Sequence, residues 1–381
     1  MIYSIFTIPL VAVLKLLGVI RRQEYRFEDM RGKVVVVTGS SSGVGLCTAA
    51  SLHASGATVI MACRSVERGE RAKKEILEDW ERRGGGGGGG GGRGGRGGGG
   101  SLVADVGLEP HHGGQLIVKE LDTSDFDSVR SFTADMKESF SELHVLVNNA
   151  GTNGKDASTP QLSKQGRDYV FETNFVGHFL LTLCLEGMLR RARGRVVNLS
   201  SVMHHWGTKD VTRTLKSARR KNSYRDSKLA MLHFTAEISR RWKGDVAAIA
   251  VNPGFVSSDI WRGVSRQGVK GWLFDRFLSF LALCPAEGCA TSVVAAAMQL
   301  NSKEEGKAGG GQASRKKEIQ RTRHECLYLV PYVLPAGIRL PFEVMGPFMH
   351  PRWATPRLPA GEVEISSRFW EMCEEVTGMK G

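Results

Sequence analysis

Apolar and polar positions fall into alternating blocks along the chain. Val34 to Val37 form a short unbroken β-branched run, the pattern of a strand covered on both faces. Ala57 to Ala62 (ATVIMA), Leu116 to Leu121, Leu143 to Val147 and Arg195 to Leu199 read as further short strands. Helical patterns lie between them: from Gly45 onward, over Val66 to Arg83, about Asp125 to Phe140, about Gln165 to Leu189, and Tyr224 to about Trp242. Strands and helices in this alternation predict an α/β fold with a doubly wound, mostly parallel sheet, which binds ligands beyond the C-terminal strand ends. Further on, Pro285 to Leu300 predicts a helix and Glu325 to Val330 a strand. Seven prolines between Pro331 and Pro359 predict an irregular covering segment, and Glu362 to Thr377 a closing helix.

Four stretches stand outside this rhythm. Residues 2–20 are apolar apart from Ser4, Thr7 and Lys15, and Arg21, Arg22 and Arg26 follow. This is near the length of a membrane span, so residues 1–22 are expected to form an uncleaved anchor helix, with the positive flank keeping the rest in the cytosol. Basic residues after the apolar run and the lack of a small-residue cleavage site speak against a signal peptide. Residues 84–100 are almost entirely glycine and cannot bury apolar surface. We read 84–114 and 301–323 as low-complexity insertions in a single domain spanning 31–381. Asp259 to Leu283 carries Trp261, Trp272, Phe274, Phe277 and Phe280, an aromatic stretch suited either to a lid over an apolar ligand or to core packing.

Composition narrows the function classes. The hydrophobic fraction of 41% supports a sizeable core. Seven cysteines without a CxxC pair suggest neither a zinc site nor a disulfide framework, and no metal is expected. The adjacent pairs His111-His112 and His204-His205 do not have ligand spacing and read as loop residues. The net charge of +13 is uneven: Lys209 to Lys228 holds eight basic and two acidic residues. No nucleic-acid motif accompanies that run, so a solvated or membrane-facing surface is expected rather than a nucleic-acid partner.

The chemistry starts at Lys33 to Ala50. Thr38-Gly39 ends the first strand, and Ser40, Ser41, Ser42, Gly43, Val44 and Gly45 lead into a helix. Amide N–H groups at a helix N-terminus attract a phosphate, and glycines let the backbone come close to it. The second strand ends in Ala62-Cys63-Arg64, with no acid until Glu67. An acid there would hold ribose hydroxyls, whereas Arg64 suits the extra phosphate of NADP(H); NAD(H) remains the alternative. Tyr224 and Lys228 are four apart and share a helical face. A lysine ammonium beside a tyrosine, together with the positive nicotinamide ring, favours the phenolate and would lower its pKa, so that the pair could exchange protons with a carbonyl or an alcohol.

TGSSSGVG, Asp122, NNAG, Asn174, Ser201, YRDSK and Asn252-Pro253-Gly254 occur in one fixed order, and with them the chain resembles the short-chain dehydrogenase/reductase family. MACR, NLSSVMHH, YRDSKLA and PAEGCATS make it most similar to the membrane-associated retinol dehydrogenase-like branch. The resemblance implies a Rossmann-type fold and assigns roles. Gly39, Gly43 and Gly45 would shape the pyrophosphate turn, with Ser41, Ser42 and Val44 beside them, and Asp122 would contact the adenine. Asn149, Ala150 and Gly151 would line the cofactor cleft. Ser201 would hydrogen-bond the substrate oxygen in preference to Ser200, and Tyr224 would exchange the proton. Lys228 would also bind the nicotinamide ribose, and Asn174 would hold a relay water. Pro253, Gly254 and Val256 would border the nicotinamide, and Ser258 stands where the family often has threonine.

The expected function is NADP(H)-dependent interconversion of a lipophilic carbonyl and alcohol of retinoid, steroid or prenoid type. The expected location is the endoplasmic reticulum membrane, with a plastid as the alternative; a homo-oligomer is left open. MACR and YRDSK also resemble light-dependent protochlorophyllide reductase, although Ala230 stands where that family typically has cysteine. A membrane-tethered nucleotide-binding protein without turnover is the non-enzymatic alternative.

Overall fold

Val36 faces one side of the sheet and its neighbours Val35 and Val37 face the other, and all three are buried. The period of two thus places one strand in two cores. The computed structural model describes residues 25–84, 101–111, 113–154, 161–208, 210–215, 223–254, 256, 283–300, 327–332, 350–354 and 362–379. The expected anchor at 1–22, the glycine run, Ser258, all but the last residue of the aromatic stretch, the 301–323 insertion and much of the basic run lie outside them. Among the described residues, no helix is long and apolar enough to cross a membrane.

Eight strands form one sheet: β1 (Val34–Thr38), β2 (Thr58–Cys63), β3 (Leu116–Glu120), β4 (Val145–Asn148), β5 (Arg195–Leu199), β6 (Ala247–Val251), β7 (Leu327–Tyr332) and β8 (His350–Ala354), in the order β3-β2-β1-β4-β5-β6-β7-β8. All neighbours pair in parallel except β7 with β8. The order reverses between β1 and β4, which opens a crevice at their C-terminal ends. Helices α1 (Gly43–Ala54) and α2 (Val66–Arg82) precede α3 (Phe126–Ser139), α4 (Gly177–Cys184) and α5 (Glu186–Arg191). Then come α6 (Ser223–Arg241), α7 (Ala290–Ala297) and α8 (Glu362–Thr377).

Two apolar clusters sandwich the sheet. Val36 belongs to the one built with α3, α4, α6 and α8, where Phe175 packs on Phe179, Phe234 and Phe369. Val35 and Val37 belong to the other, with Ala49, Ala50, Val293 and Ala296 from α1 and α7.

Five expectations need correction. The helix read over Gln165 to Leu189 starts later, at Tyr169, and runs without a break through a π-helical segment, Glu172–Val176, into α4; Leu185 separates it from α5. Phe171, Phe175 and Phe179 lie in one core along this stretch, and the Asn174 side chain bonds to Thr152 and Ser227. The helix read over Pro285 to Leu300 is a turn at Pro285–Gly288 followed by α7. The proline-rich segment is not irregular throughout, because β8 lies within it; as an edge strand it tolerates proline. The insertion read as 84–114 is too long: Ala104 and Val106 are buried, and the Ala104 amide donates to Ser51 Oγ at 2.9 Å. His204 is no loop residue but lies buried in a 3₁₀ turn, Val202–Trp206. The strand β6 was not expected from the apolar pattern; Ala248 and Ala250 are buried in one cluster and Ile249 and Val251 in the other.

Candidate active site

The turn after β1 is tight for a stated reason. Gly39 sits at φ +65°, and a Cβ there would lie 2.8 Å from Ala150 Cα. At Gly45 a Cβ would come within 2.4 Å of both Asn149 Nδ2 and the Gly39 carbonyl oxygen. Gly43 also has positive φ. Ser42 caps α1 in an extended conformation without a side-chain capping bond, and the first turn holds no acid. The positive end of a 12-residue helix therefore faces the crevice without a carboxylate of its own first turn, which fits a phosphate.

Thr38 and Asn149 join the two strands across the crevice. The Asn149 and Ala150 amides each donate to Thr38 Oγ1 at 2.9 Å, and Asn149 Nδ2 donates to the Thr38 carbonyl at 2.7 Å. At the end of β3 the Asp122 carboxylate accepts from the Ser124 amide and hydroxyl. At the end of β2, exposed Arg64 donates to the Tyr169 hydroxyl at 2.8 Å. The glycine cradle, the open helix end and the side chains around them fit a dinucleotide.

The N-terminus of α6 is held from two sides. Ser223 Oγ donates to Asp168 at 2.7 Å, and buried Asp226 accepts from the Thr208 amide and hydroxyl and from Thr214. This fixes Tyr224 and Lys228 one turn apart, with Lys228 Nζ 5.7 Å from the centre of the Tyr224 ring. Lys228 Nζ donates to the Leu199 carbonyl at 2.9 Å. Ser200 Oγ donates to the Lys228 carbonyl at 2.8 Å, so its side chain is committed to the α6 backbone. The Ser201 side chain instead accepts from the Met203 amide at 3.3 Å and lies near enough to Tyr224 to favour its phenolate. The two adjacent serines are thereby set apart by geometry.

Asn174 closes the constellation. Its Nδ2 donates to the Thr152 carbonyl at 2.9 Å and to Ser227 Oγ at 3.1 Å, and its Oδ1 accepts from the Thr152 amide at 2.8 Å. Gly151 leaves room there: a Cβ would lie 3.2 Å from Asn174 Oδ1 and 3.8 Å from Lys228 Nζ. Pro253 and Gly254 follow β6, the Gly254 amide donating to Asn252, and Val256 bridges to Leu283.

Burial decides the protonation states. It pushes Tyr224 above its ordinary value, and the Ser201 hydrogen bond pulls the other way without overcoming it. Burial also brings Lys228 down to about 8. Buried Glu172, two residues before Asn174, is raised to about 7, mainly by desolvation and against the pull of Arg167.

Thr38, Asp168, Tyr169, His178, Ser223 and Asp226 were not singled out as contributors from the chain. Asp226 lies inside YRDSK and His178 four residues after Asn174, but an Asp or His at such a position is more often solvated. Only the packing shows them buried and bonded.

The model of the short chain dehydrogenase family matches residues 33–83 and 102–268, passing over the glycine run. Human retinol dehydrogenase 11 is 36% identical over 270 residues, covering 70% of this chain and 73% of that protein. Human retinol dehydrogenase 12 is 35% identical over 270 residues, with the same coverage, and human retinol dehydrogenase 14 is 33% identical over 271 residues, covering 69% and 74%. Among solved structures, an uncharacterized protein from Mycobacterium paratuberculosis shares the fold. Its TM-score is 0.60 at 23% identity, covering 93% of this chain and 98% of that one. With an α/β sheet, a glycine cradle suited to a dinucleotide, and this coverage, the chain belongs to the short-chain dehydrogenase/reductase family, in its retinol dehydrogenase-like branch, and is a nicotinamide-dependent oxidoreductase of CH–OH groups.

Proposed function

We propose that the protein interconverts a lipophilic alcohol and its carbonyl with NADP(H), using Tyr224, Lys228, Ser201 and Asn174. The observation that carries this reading is the meeting of Tyr224, Ser201 and Lys228 beside the Thr38–Gly45 turn at the C-terminal edge of the sheet. The dinucleotide would be held by Gly39, Ser41, Ser42, Gly43, Val44 and Gly45 at its phosphates, Asp122 at its adenine, and Asn149, Ala150, Gly151, Pro253, Gly254, Val256 and Ser258 along the cleft. When bound, it supplies hydride to the reacting carbon or accepts it.

The protein's own groups handle the proton. Burial keeps the Tyr224 proton in place at neutral pH, which suits a general acid for carbonyl reduction. Ser201 donates a hydrogen bond to the same substrate oxygen and steadies the charge that develops there. Lys228, charged below about pH 8, stabilises the phenolate left on Tyr224 once the proton has gone. Asn174, anchored on Thr152 and Ser227, holds a water through which Lys228 regains contact with solvent. In the oxidative direction the same groups act in reverse.

Arg64 supports NADP(H): it stands exposed at the end of β2, where an acid would favour NAD(H). The retinol dehydrogenase names of the relatives and the aromatic stretch at Asp259 to Leu283 support a retinoid, steroid or prenoid substrate. The apolar run at residues 2–20 supports attachment to an endoplasmic reticulum membrane with the catalytic domain facing the cytosol. The test is turnover of NADPH by purified full-length protein with retinal, steroid ketones and prenoid aldehydes. Oxidation of NADPH by wild type but not by Tyr224→Phe is expected; full turnover by the variant removes the reading.

A further inference from the structure

His178 lies in α4, is fully buried, and bonds at both ring nitrogens to the two halves of the site. Its Nδ1 is 3.1 Å from the Asn174 carbonyl oxygen, and its Nε2 is 2.9 Å from Thr38 Oγ1. A carbonyl can only accept, so Nδ1 carries a proton. Thr38 Oγ1 already accepts from the Asn149 and Ala150 amides, which uses both of its lone pairs. Its hydroxyl proton has two acceptors in reach, Nε2 at 2.9 Å and the Val147 carbonyl at 3.3 Å; because Nδ1 carries the one proton of a neutral ring, Nε2 is bare and takes the shorter bond. The opposite tautomer would set two acceptors against each other at the Asn174 carbonyl. Burial, aided by the nearby Lys228 charge, keeps the ring neutral by bringing its pKa to about 3.

We infer that His178 is a positioning residue that ties the dinucleotide turn at Thr38-Gly39 to the π-helical segment carrying Asn174. The π segment makes this link useful. A wide turn is less constrained than an α-helix, so the height of Asn174 above Lys228 depends on what holds its backbone. The side chain of Asn174 is fixed by Thr152 and Ser227, and His178 fixes the main-chain carbonyl. Through Thr38 the same ring feels the position of the Asn149-Ala150 backbone, which lines the crevice. A shift of the turn on dinucleotide binding is thereby passed to Asn174 through three hydrogen-bonded groups.

Three substitutions separate the two ends of the ring. His178→Asn can keep the donor near Nδ1, His178→Gln can keep an acceptor near Nε2, and His178→Leu keeps neither. Steady-state kinetics, NADPH affinity by tryptophan fluorescence and melting temperature are measured for each. His178→Gln is expected to hold NADPH within about twofold of wild type yet lose at least tenfold in kcat. His178→Asn is expected to show the reverse order, and His178→Leu to lose both. Equal losses in kcat and affinity across the Asn and Gln variants, tracking melting temperature alone, would overturn the inference. That comparison decides it even where His178→Leu does not fold. Imidazole ¹⁵N spectra of the ligand-free protein, with the His178 signal assigned by its loss in His178→Asn, give a readout without turnover. The Nδ1–H tautomer is expected from pH 5 to 9, and the Nε2–H tautomer or an imidazolium contradicts the wiring. The kcat arm rests on the proposed reaction. The affinity and spectral arms do not, so a wild-type protein that binds NADPH without turnover would sink that reaction and leave this link to be judged on them.

Discussion

Lys228 Nζ donates to the Leu199 carbonyl at 2.9 Å, so the last residue of β5 orients the ammonium beneath the Tyr224 ring. Little else compensates for its burial, and the folded pKa falls to about 8 against 10.5 for the ordinary side chain. Between those two values the unfolded chain binds more protons than the folded one, so stability rises with pH there. The destabilisation is fully present below about pH 8 and is relieved as pH approaches 10.5. Lys228→Met removes it. The melting temperature of the variant, relative to wild type, is therefore expected to be highest near pH 7 and to decline steadily towards pH 10. A difference independent of pH would mean that the ammonium is not desolvated.

The neighbouring serines make separable contributions. Ser201→Ala and Tyr224→Phe are expected to lower kcat/KM by about 10²–10⁴-fold, the range for loss of a positioned proton donor or its partner. Ser200→Ala instead removes a buried bond to the Lys228 carbonyl and is expected to cost about 1 kcal/mol of stability, with a smaller effect on rate. Kinetics and urea unfolding of the three variants check this. A larger kinetic loss in Ser200→Ala than in Ser201→Ala reverses the assignment.

Arg64 has a partner as well as a charge. Arg64→Asp is expected to shift the NADPH/NADH ratio of kcat/KM towards NADH by more than tenfold, since the new carboxylate would repel a phosphate and accept from ribose hydroxyls. Tyr169→Phe removes only the hydroxyl that Arg64 donates to. It leaves the guanidinium free to find water, so a change below about tenfold is expected. An unchanged ratio in Arg64→Asp would take Arg64 out of dinucleotide recognition.

The segment that enters β1 is pinned to the start of β5 and the end of α7. Glu28 pairs with buried Arg195, which also donates to the carbonyls of Ala295 and Met298. Glu28→Ala leaves that guanidinium without its counter-charge, and breaking a buried pair from one side costs about 3–5 kcal/mol. Because Glu28 is partly exposed, the lower end of that range is expected in chemical unfolding. Retained stability would show that water replaces the carboxylate.

A close approach at the dinucleotide turn gives a further test. A Cβ at Gly45 would meet the Asn149 side-chain amide and the Gly39 carbonyl, and that amide donates to the carbonyls of both Thr38, at 2.7 Å, and Gly39, at 3.3 Å. Gly45→Ala is expected to weaken NADPH binding at least tenfold, measured by fluorescence titration. Unchanged binding would mean that the turn can open at little cost.

The chain by itself determined the strand–helix alternation, the glycine turn, and the order of Asn174, Ser201, Tyr224 and Lys228. These are legible because a buried strand needs consecutive apolar residues, and a close phosphate approach needs glycine at fixed spacing. Proton exchange likewise needs particular side chains on one helical face. The tertiary structure decided the rest. It widened the helix around Asn174 into a π segment, with Phe171, Phe175 and Phe179 in one core and the Asn174 side chain on Thr152. It separated Ser200 from Ser201, which no local pattern distinguishes, by where each hydroxyl found a partner. It also added burial, a property of the whole fold, which raises Tyr224 and which the spacing of Tyr224 and Lys228 does not reveal. His178 and Thr38 are 140 residues apart, and their bond exists only because the sheet order brings β1 beside β4 and α4 over both. Periodicity and spacing act locally and can be read from the chain; burial and long-range hydrogen bonding depend on which surfaces finally meet.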